Sequence, residues 1–361
     1  MELFGFIIHP IDIRRDVGKR FPALSRLPLR WLDFLSGYFP PVYLSHITGI
    51  RSALGKEAEG WLVACPLTPS AMKHFPPGQV YRQIIRAGRL AERLGARIVG
   101  LGALTSSVGD AGESVARGLR VPVTTGNSYT VAVTCHAVHC IANALGKTLG
   151  DLKVAVLGAT GSIGSACARA LCGKAASLIL VGREWAATNC LLDELNARGE
   201  AHITGAVDLA ALRDAELIVS ATNTAGPLIR LEHVRPGAVV YDLALPPDVS
   251  AAVHALGVDA MVVNGGDVLV PGSANFGFDF GLPPGHAYAC MAETIALALE
   301  GRYECFTIGR HITEGRVKEI SDIAARHGFR LAPLQSRGRV AEPLYCEDIA
   351  GWDRSNLRLT I

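Results

Sequence analysis

The stretch DLKVAVLGATGSIGSACARAL, residues 151–171, constrains the fold of this chain more than any other. An apolar run from Val154 to Leu157 enters Gly158-x-x-Gly161-x-x-Gly164, and a helical pattern from Ser162 to Leu171 follows at once. In a strand–turn–helix unit the first glycine permits the tight turn. The second lets the backbone approach a pyrophosphate, and the third lets the helix pack on the strand. The unpaired N–H groups and positive dipole end of the helix then face the phosphates. Gly158, Thr160, Gly161, Ser162, Ile163 and Gly164 are therefore the candidate cradle of a dinucleotide. A bare glycine triplet reads as well as a structural turn, but the flanking strand and helix make this one specific.

Alternation continues downstream. Residues 177–182 read as a second strand, 206–222 hold a helix and strand four, and 238–243 and 260–265 supply strands five and six. That pattern is a doubly wound (Rossmann) domain. Strand two ends in Gly182-Arg183, where an acidic residue would grip the ribose of NAD; a guanidinium suits the extra phosphate of NADP, although Glu184 is adjacent. Ala221 and Thr222, after Ser220, end strand four beside the expected ribose and nicotinamide path, or else form a small-residue turn.

Upstream, residues 3–9 and 60–67 read as strands, 12–39 as helix broken near Pro22 and Pro28, 80–95 as an amphipathic helix, and 97–107 as a strand running into a loop. This is an α/β domain whose strand ends favour ligands. Thr105, Ser106 and Ser107 lie at such an end and are candidate substrate contacts; Ser and Thr also populate turns. Residues 124–150 read as one long helix capped by Asn127 or Ser128, with Asn127 a further substrate candidate. Its end, ALGKTLG, is not a phosphate loop, because Ile141 stands where the first glycine belongs. Cys135, His136, His139 and Cys140 cluster on this helix without converging or finding a further ligand pattern, so no metal is expected. The predicted division is an α/β substrate domain (1–125), an NADP-binding domain with its lead-in helix (126–285), and a C-terminal helical segment (286–361).

Charge excludes a polyanion partner: 35 basic residues balance 33 acidic ones, so no nucleic-acid role is expected. Only 19% of residues are charged and the mean hydropathy is +0.28, which fits an apolar groove or contact with a membrane surface. The first residues, MELFGFIIHP, read as a strand rather than a leader, and no uninterrupted apolar run is long enough to span a bilayer. Nine scattered cysteines, an odd count without framework spacing, read as reduced thiols of a cytoplasmic protein.

One cysteine stands out. Cys290 lies near the start of an apolar helical pattern that follows the turn Pro283-Pro284-Gly285. A free cysteine is ordinarily core filler, and Cys65, Cys167, Cys172 and Cys190 read that way. A helix start lowers a thiol's pKa and makes it nucleophilic. His286, four residues earlier, would share its helix face and could move a proton, or be an exposed residue beside the turn; Glu293 is expected to face water.

GNSYTVA, VLGATGSIGSA, VVNGG, AYACMAETIALALEG and ITEGRVKEISDIAARHGF occur in this order, after FGFIIHP. Together they resemble the long-chain acyl-[acyl-carrier-protein] reductases, over residues 3–335. The resemblance implies NADPH-dependent reduction of a fatty acyl thioester, on acyl carrier protein or coenzyme A, to an aldehyde, with Cys290 carrying the acyl group. The segment SANFGFDFGLPPGH is shorter than the family pattern, and residues 336–361 extend past its usual end. Candidate groove walls are Trp31, Phe34, Phe39 and the Phe-rich 276–280 loop. Arg302, Arg310, Arg316, Lys318, Arg326, Arg330, Arg337 and Arg339, against four acidic residues, would suit an acidic carrier, or simply a solvated helix surface. Two other readings stay open: a dehydrogenase of the shikimate or amino-acid type without a covalent step, and a non-catalytic NADP-binding regulator.

Overall fold

The computed structural model describes residues 1–10, 27–199, 202–224, 226–250, 253 and 260–334. Two six-stranded sheets and a three-stranded one organise the described residues. The first sheet contains β1 (Glu2–Ile8), β2 (Val42–Arg51), β3 (Glu57–Ala64), β4 (Val99–Leu101), β5 (Val123–Thr124) and β13 (Gly272–Asn275), in the order β13-β2-β3-β1-β4-β5. β1 runs parallel to β3 and β4, whereas β2 is antiparallel to both β3 and β13. The predicted elements omitted β2, whose mixed burial gives no clean alternation. β13, which falls within the predicted 126–285 division, pairs with β2, so the first sheet is not made only of residues before 126.

The second sheet contains β6 (Lys153–Leu157), β7 (Ser177–Val181), β8 (His202–Ala206), β9 (Leu217–Ser220), β10 (Val239–Asp242) and β11 (Met261–Asn264). Its order, β11-β10-β9-β6-β7-β8, is all parallel and doubly wound. Its central strands are buried on both faces, which explains their unbroken Val, Leu and Ile runs. The helix predicted before β9 is a 3-10 turn, Leu209–Asp214. A small sheet joins β12 (Asp267–Leu269), β14 (His286–Tyr288) and β15 (Arg330–Leu331).

Helices fill the space between and around the sheets. They are α1 (Leu29–Ser36), α2 (Pro77–Leu94), α3 (Leu104–Ser107), α4 (Asn127–Ala144), α5 (Ser162–Leu171), α6 (Trp185–Asn196), α7 (Ala289–Glu300) and α8 (Glu314–His327). α7 is apolar nearly all round, and both α4 and α7 are largely buried, α4 with small polar residues among its buried positions. A continuous core joins Phe4 and Phe6 of β1, Tyr129 and Val138 of α4, Val154 and Val156 of β6, and Ile295 and Leu297 of α7. Burying a side chain such as Ile295 or Leu297 stabilises by about 1.5–3 kcal/mol each. α4 is shorter than its predicted 124–150 span, and its N-cap is Gly126 rather than a side chain of Asn127 or Ser128. Of the stretch predicted helical over 12–39, residues 29–36 are helix and 12–26 lie outside the described residues, as does 336–361. No helix among the described residues is long and apolar enough to cross a membrane.

Candidate active site

The glycine turn is built as its spacing requires. Gly158 leaves β6 at φ +78°, in the left-handed region that favours glycine, and a Cβ there would lie 2.6 Å from the Ala221 carbonyl oxygen. A Cβ on Gly164 would lie 2.1 Å from the Gly158 oxygen, so α5 packs hard on the turn. The result is a cradle open toward the N-terminus of α5, the shape a pyrophosphate needs. Thr160, Gly161, Ser162 and Ile163 line the adjoining cavity, while Gly164 supports them from behind. Ala221 and Thr222 line the same cavity, and buried Asp248 fixes this segment by accepting from Ser220 Oγ (2.7 Å) and Thr222 Oγ1 (2.6 Å). Arg183 lines it too, with an almost fully exposed side chain whose ion-pair partner is its neighbour Glu184, 3.6 Å away.

Cys290 sits at the second position of α7, which begins at Ala289, later than the glycine turn predicts. It is half-buried on the wall of the same cavity. Burial pushes its thiol up to about 12, whereas the N–H groups of Met291 and Ala103 pull the other way and nearby Glu293 adds to the rise. Desolvation thus outweighs the helix N-terminus, so the resting thiol is protonated rather than activated. Ala103 holds its N–H there through an unusual backbone conformation, φ +48°. The loop is braced from β1: the Leu104 N–H donates to His9 Nε2 (3.1 Å), and His9 lines the cavity.

Gly126, at φ +73°, brings the start of α4 against the thiol helix; a Cβ there would fall 2.2 Å from Cys290 Cα. Glu293, one turn beyond Cys290, is fully buried rather than facing water. Its carboxylate accepts from the Tyr129 N–H (2.9 Å) and from Thr124 Oγ1, capping α4 from a neighbouring helix. Burial raises its pKa, partly opposed by these donors.

The cavity that connects the cradle to Cys290 measures about 1270 Å³. The same wall carries apolar side chains of Leu32, Leu35, Phe39, Leu44, Phe278 and Phe280. Of the predicted substrate contacts, Ser106 and Asn127 line it. Thr105 does not; it is buried and donates to the Gly102 carbonyl (2.7 Å), a turn contact. His286 is corrected as well. It lies in β14, not on the Cys290 helix, does not line the cavity, and contacts Asp267 at 2.9 Å. Of the proposed groove walls, Phe39 faces the cavity, but Trp31 and Phe34 are half exposed on the other side of α1.

The remaining cysteines divide. Cys65, Cys167 and Cys172 are buried, but Cys190 is exposed and is not core filler. Among the described residues no cluster of three or more His, Cys, Asp or Glu could hold a metal. Three of the six basic residues described in the C-terminal part are paired within it: Arg302 and Arg316 with Glu304 and Glu319, and Arg326 with Glu300. Arg337 and Arg339 lie outside the described residues.

Sequence reasoning missed His9, Ala103, Gly126 and the inward role of Glu293. His9 had a readable signal, since it ends a strand of a mostly parallel sheet; the other three depend on contacts between distant segments.

Comparison with known proteins adds four findings. The family model described as shikimate/quinate 5-dehydrogenase matches residues 140–264. Over 345 residues the chain is 30% identical to the long-chain acyl-[acyl-carrier-protein] reductase of Synechococcus elongatus, covering 91% of this chain and 98% of that protein. Over 345 residues it is also 32% identical to the aminotransferase PigE of a Serratia strain, covering 93% of this chain but spanning only 40% of that relative's length. Among solved structures, L-tryptophan dehydrogenase from Nostoc punctiforme aligns with a TM-score of 0.41 at 11% identity, covering 90% of this chain and 80% of that one.

Proposed function

Since this chain belongs to the family of the long-chain acyl-[acyl-carrier-protein] reductases, we propose that it reduces a fatty acyl thioester to an aldehyde with NADPH, through an acyl group held on Cys290. Its oxidoreductase character and NAD(P)-type fold are the premises; the substrate and the covalent step are the proposal. One observation carries it. Cys290 and the glycine cradle share a cavity whose remaining wall is largely apolar, large enough for a dinucleotide at one end and hydrocarbon at the other.

The residues suggest the order of events. Cys290 Sγ attacks the thioester carbonyl carbon; the new C–S bond forms as the carrier's C–S bond breaks. The proton of the protein thiol leaves with the carrier's sulfur, so this exchange needs no net proton. Ala103 and Met291 N–H groups stabilise charge on Sγ, offsetting the desolvation that keeps the resting thiol neutral. Gly158, Gly161, Ser162, Thr222 and Arg183 would hold NADPH, Arg183 taking the 2′-phosphate. Bound there, NADPH supplies the hydride that takes the acyl carbon to the aldehyde level. Sγ is then the leaving group and takes up a proton from solvent, which regenerates the thiol. Leu32, Leu35, Phe39 and Phe280 take the chain and exclude water.

The shikimate-type reading draws on the match over 140–264, which covers the nucleotide sheet and not the first domain. That class would need a lysine–aspartate pair at the substrate, and among the described residues no lysine lines the cavity. Intact-mass measurement after mixing with a fatty acyl thioester, without NADPH, decides between them. Gain of one acyl group, mapped to residues 282–303, supports the covalent reading. No gain, with turnover of a hydroxy or amino acid by a Cys290→Ser variant, overturns it.

A further inference from the structure

Arg310 differs from the other arginines of the C-terminal part. Arg302, Arg316 and Arg326 each reach a carboxylate, whereas Arg310 makes no ion pair among the described residues. Its side chain is exposed and lines the cavity. Nε and one Nη2 proton donate to a single neutral acceptor, the Gly109 carbonyl, at 3.2 and 2.7 Å. Three of the five guanidinium N–H donors therefore remain unspent. The backbone on either side is pinned. The Gly309 N–H donates to the Ala111 oxygen (3.0 Å), and buried Ile312 packs with Ile163, Ala166 and Cys167. Arg310 is thus held between the loop after α3 and the helix that opens the glycine cradle. The carboxylates of the described cavity wall are Glu184, which pairs with Arg183, and Asp279. Ser106, Ser107, Ser162 and Ser165 contribute hydroxyls to the same wall.

A fixed, half-satisfied guanidinium among hydroxyls, without a carboxylate partner, is built for a dianionic or diester oxyanion. We infer that Arg310 is a phosphate-binding residue of this cavity, its free N–H groups receiving the oxygens of a phosphate ester that arrives with the ligand. Two ligands carry that chemistry: the pyrophosphate of the dinucleotide, and the phosphopantetheine arm from which an acyl thioester hangs. The second source rests on the reductase reading; the first does not.

The test uses the full chain with Arg310→Gln and Arg310→Lys. NADPH affinity is measured by fluorescence titration without an acyl donor. The rate of mass gain at Cys290 is measured without NADPH, using hexadecanoyl-4′-phosphopantetheine and hexadecanoyl-pantetheine, which differ only in the phosphate. We expect Arg310→Gln to weaken one of these by about ten- to a hundredfold, the loss of a hydrogen bond to a charged group, with partial recovery in Arg310→Lys. Weaker NADPH binding assigns the dinucleotide phosphate. Slower acylation by the phosphorylated donor alone assigns the pantetheine phosphate. Unchanged affinity together with unchanged acylation, or equal slowing by both donors, overturns the inference. If neither donor acylates the wild type, the reductase reading fails, and the NADPH titration alone decides Arg310.

Discussion

The two ends of the cavity are assembled in different ways. At the cradle, residues 157–165 form one local strand–turn–helix unit, completed by the ends of β7 and β9. At the thiol, Cys290 meets Ala103 from the first domain, Gly126 from the start of α4, and His9 through the loop it braces. Backbone geometry makes the first end, and burial makes the second. The consequence is electrostatic. Helix N-termini are present at both. At Cys290 desolvation wins and lifts the thiol to about 12.

If the two ends are separable, their variants should fail separately. The largest effect is expected from Cys290→Ser: aldehyde formation falls by a factor on the order of 10³ or more, while NADPH affinity is unchanged. Loss of cofactor binding in that variant would break the division between the ends. Gly126→Ala strains a left-handed backbone and drives a methyl into Cys290, at a cost of about 1–3 kcal/mol in the melting transition and with slowed acylation. Gly158→Ala should do the reverse, weakening NADPH binding while acylation in its absence persists.

Glu293→Gln tests burial at the thiol end directly. The folded pKa of Glu293 is raised, so the folded chain holds a proton that the unfolded chain releases. That contribution to stability is full below the unfolded value of about 4.3 and is lost as pH rises through the folded value. The wild type should therefore lose stability relative to Glu293→Gln across that window, measured by urea unfolding at several pH values. The smallest effect is kinetic. With its thiol near 12, Cys290 of the free protein should react with iodoacetamide more slowly than exposed Cys190 and Cys305 at pH 8, and faster as pH rises without a plateau near neutrality. Prompt labelling of Cys290 would show that desolvation does not dominate there.

Motifs that looked alike in the sequence proved to be of different kinds in the structure. The RHGF run is a clamp: buried His327 lies between Ser52 Oγ (2.8 Å) and Glu300 (2.7 Å), tying α8 to the β2–β3 turn and the end of α7. The Phe-rich loop does reach the cavity, through Phe278 and Phe280. His286 does not, because its segment extends as a strand against β12 instead of continuing a helix. A three-residue strand carries no periodicity, so in sequence the turn before it looks like a helix start.

The sequence by itself determined the doubly wound sheet and the glycine turn between its first strand and helix. These are local: period, turn chemistry and neighbouring residues specify them within a few positions. Only the tertiary structure decided that Glu293 turns inward to cap α4, that Ala103 aims an N–H at sulfur, that Thr105 and His286 stand aside, and that Arg310 keeps donors to spare. Each of those outcomes depends on which distant segment arrives to desolvate a group or to pair with it, and burial and partner choice are properties of the packed chain rather than of any window along it.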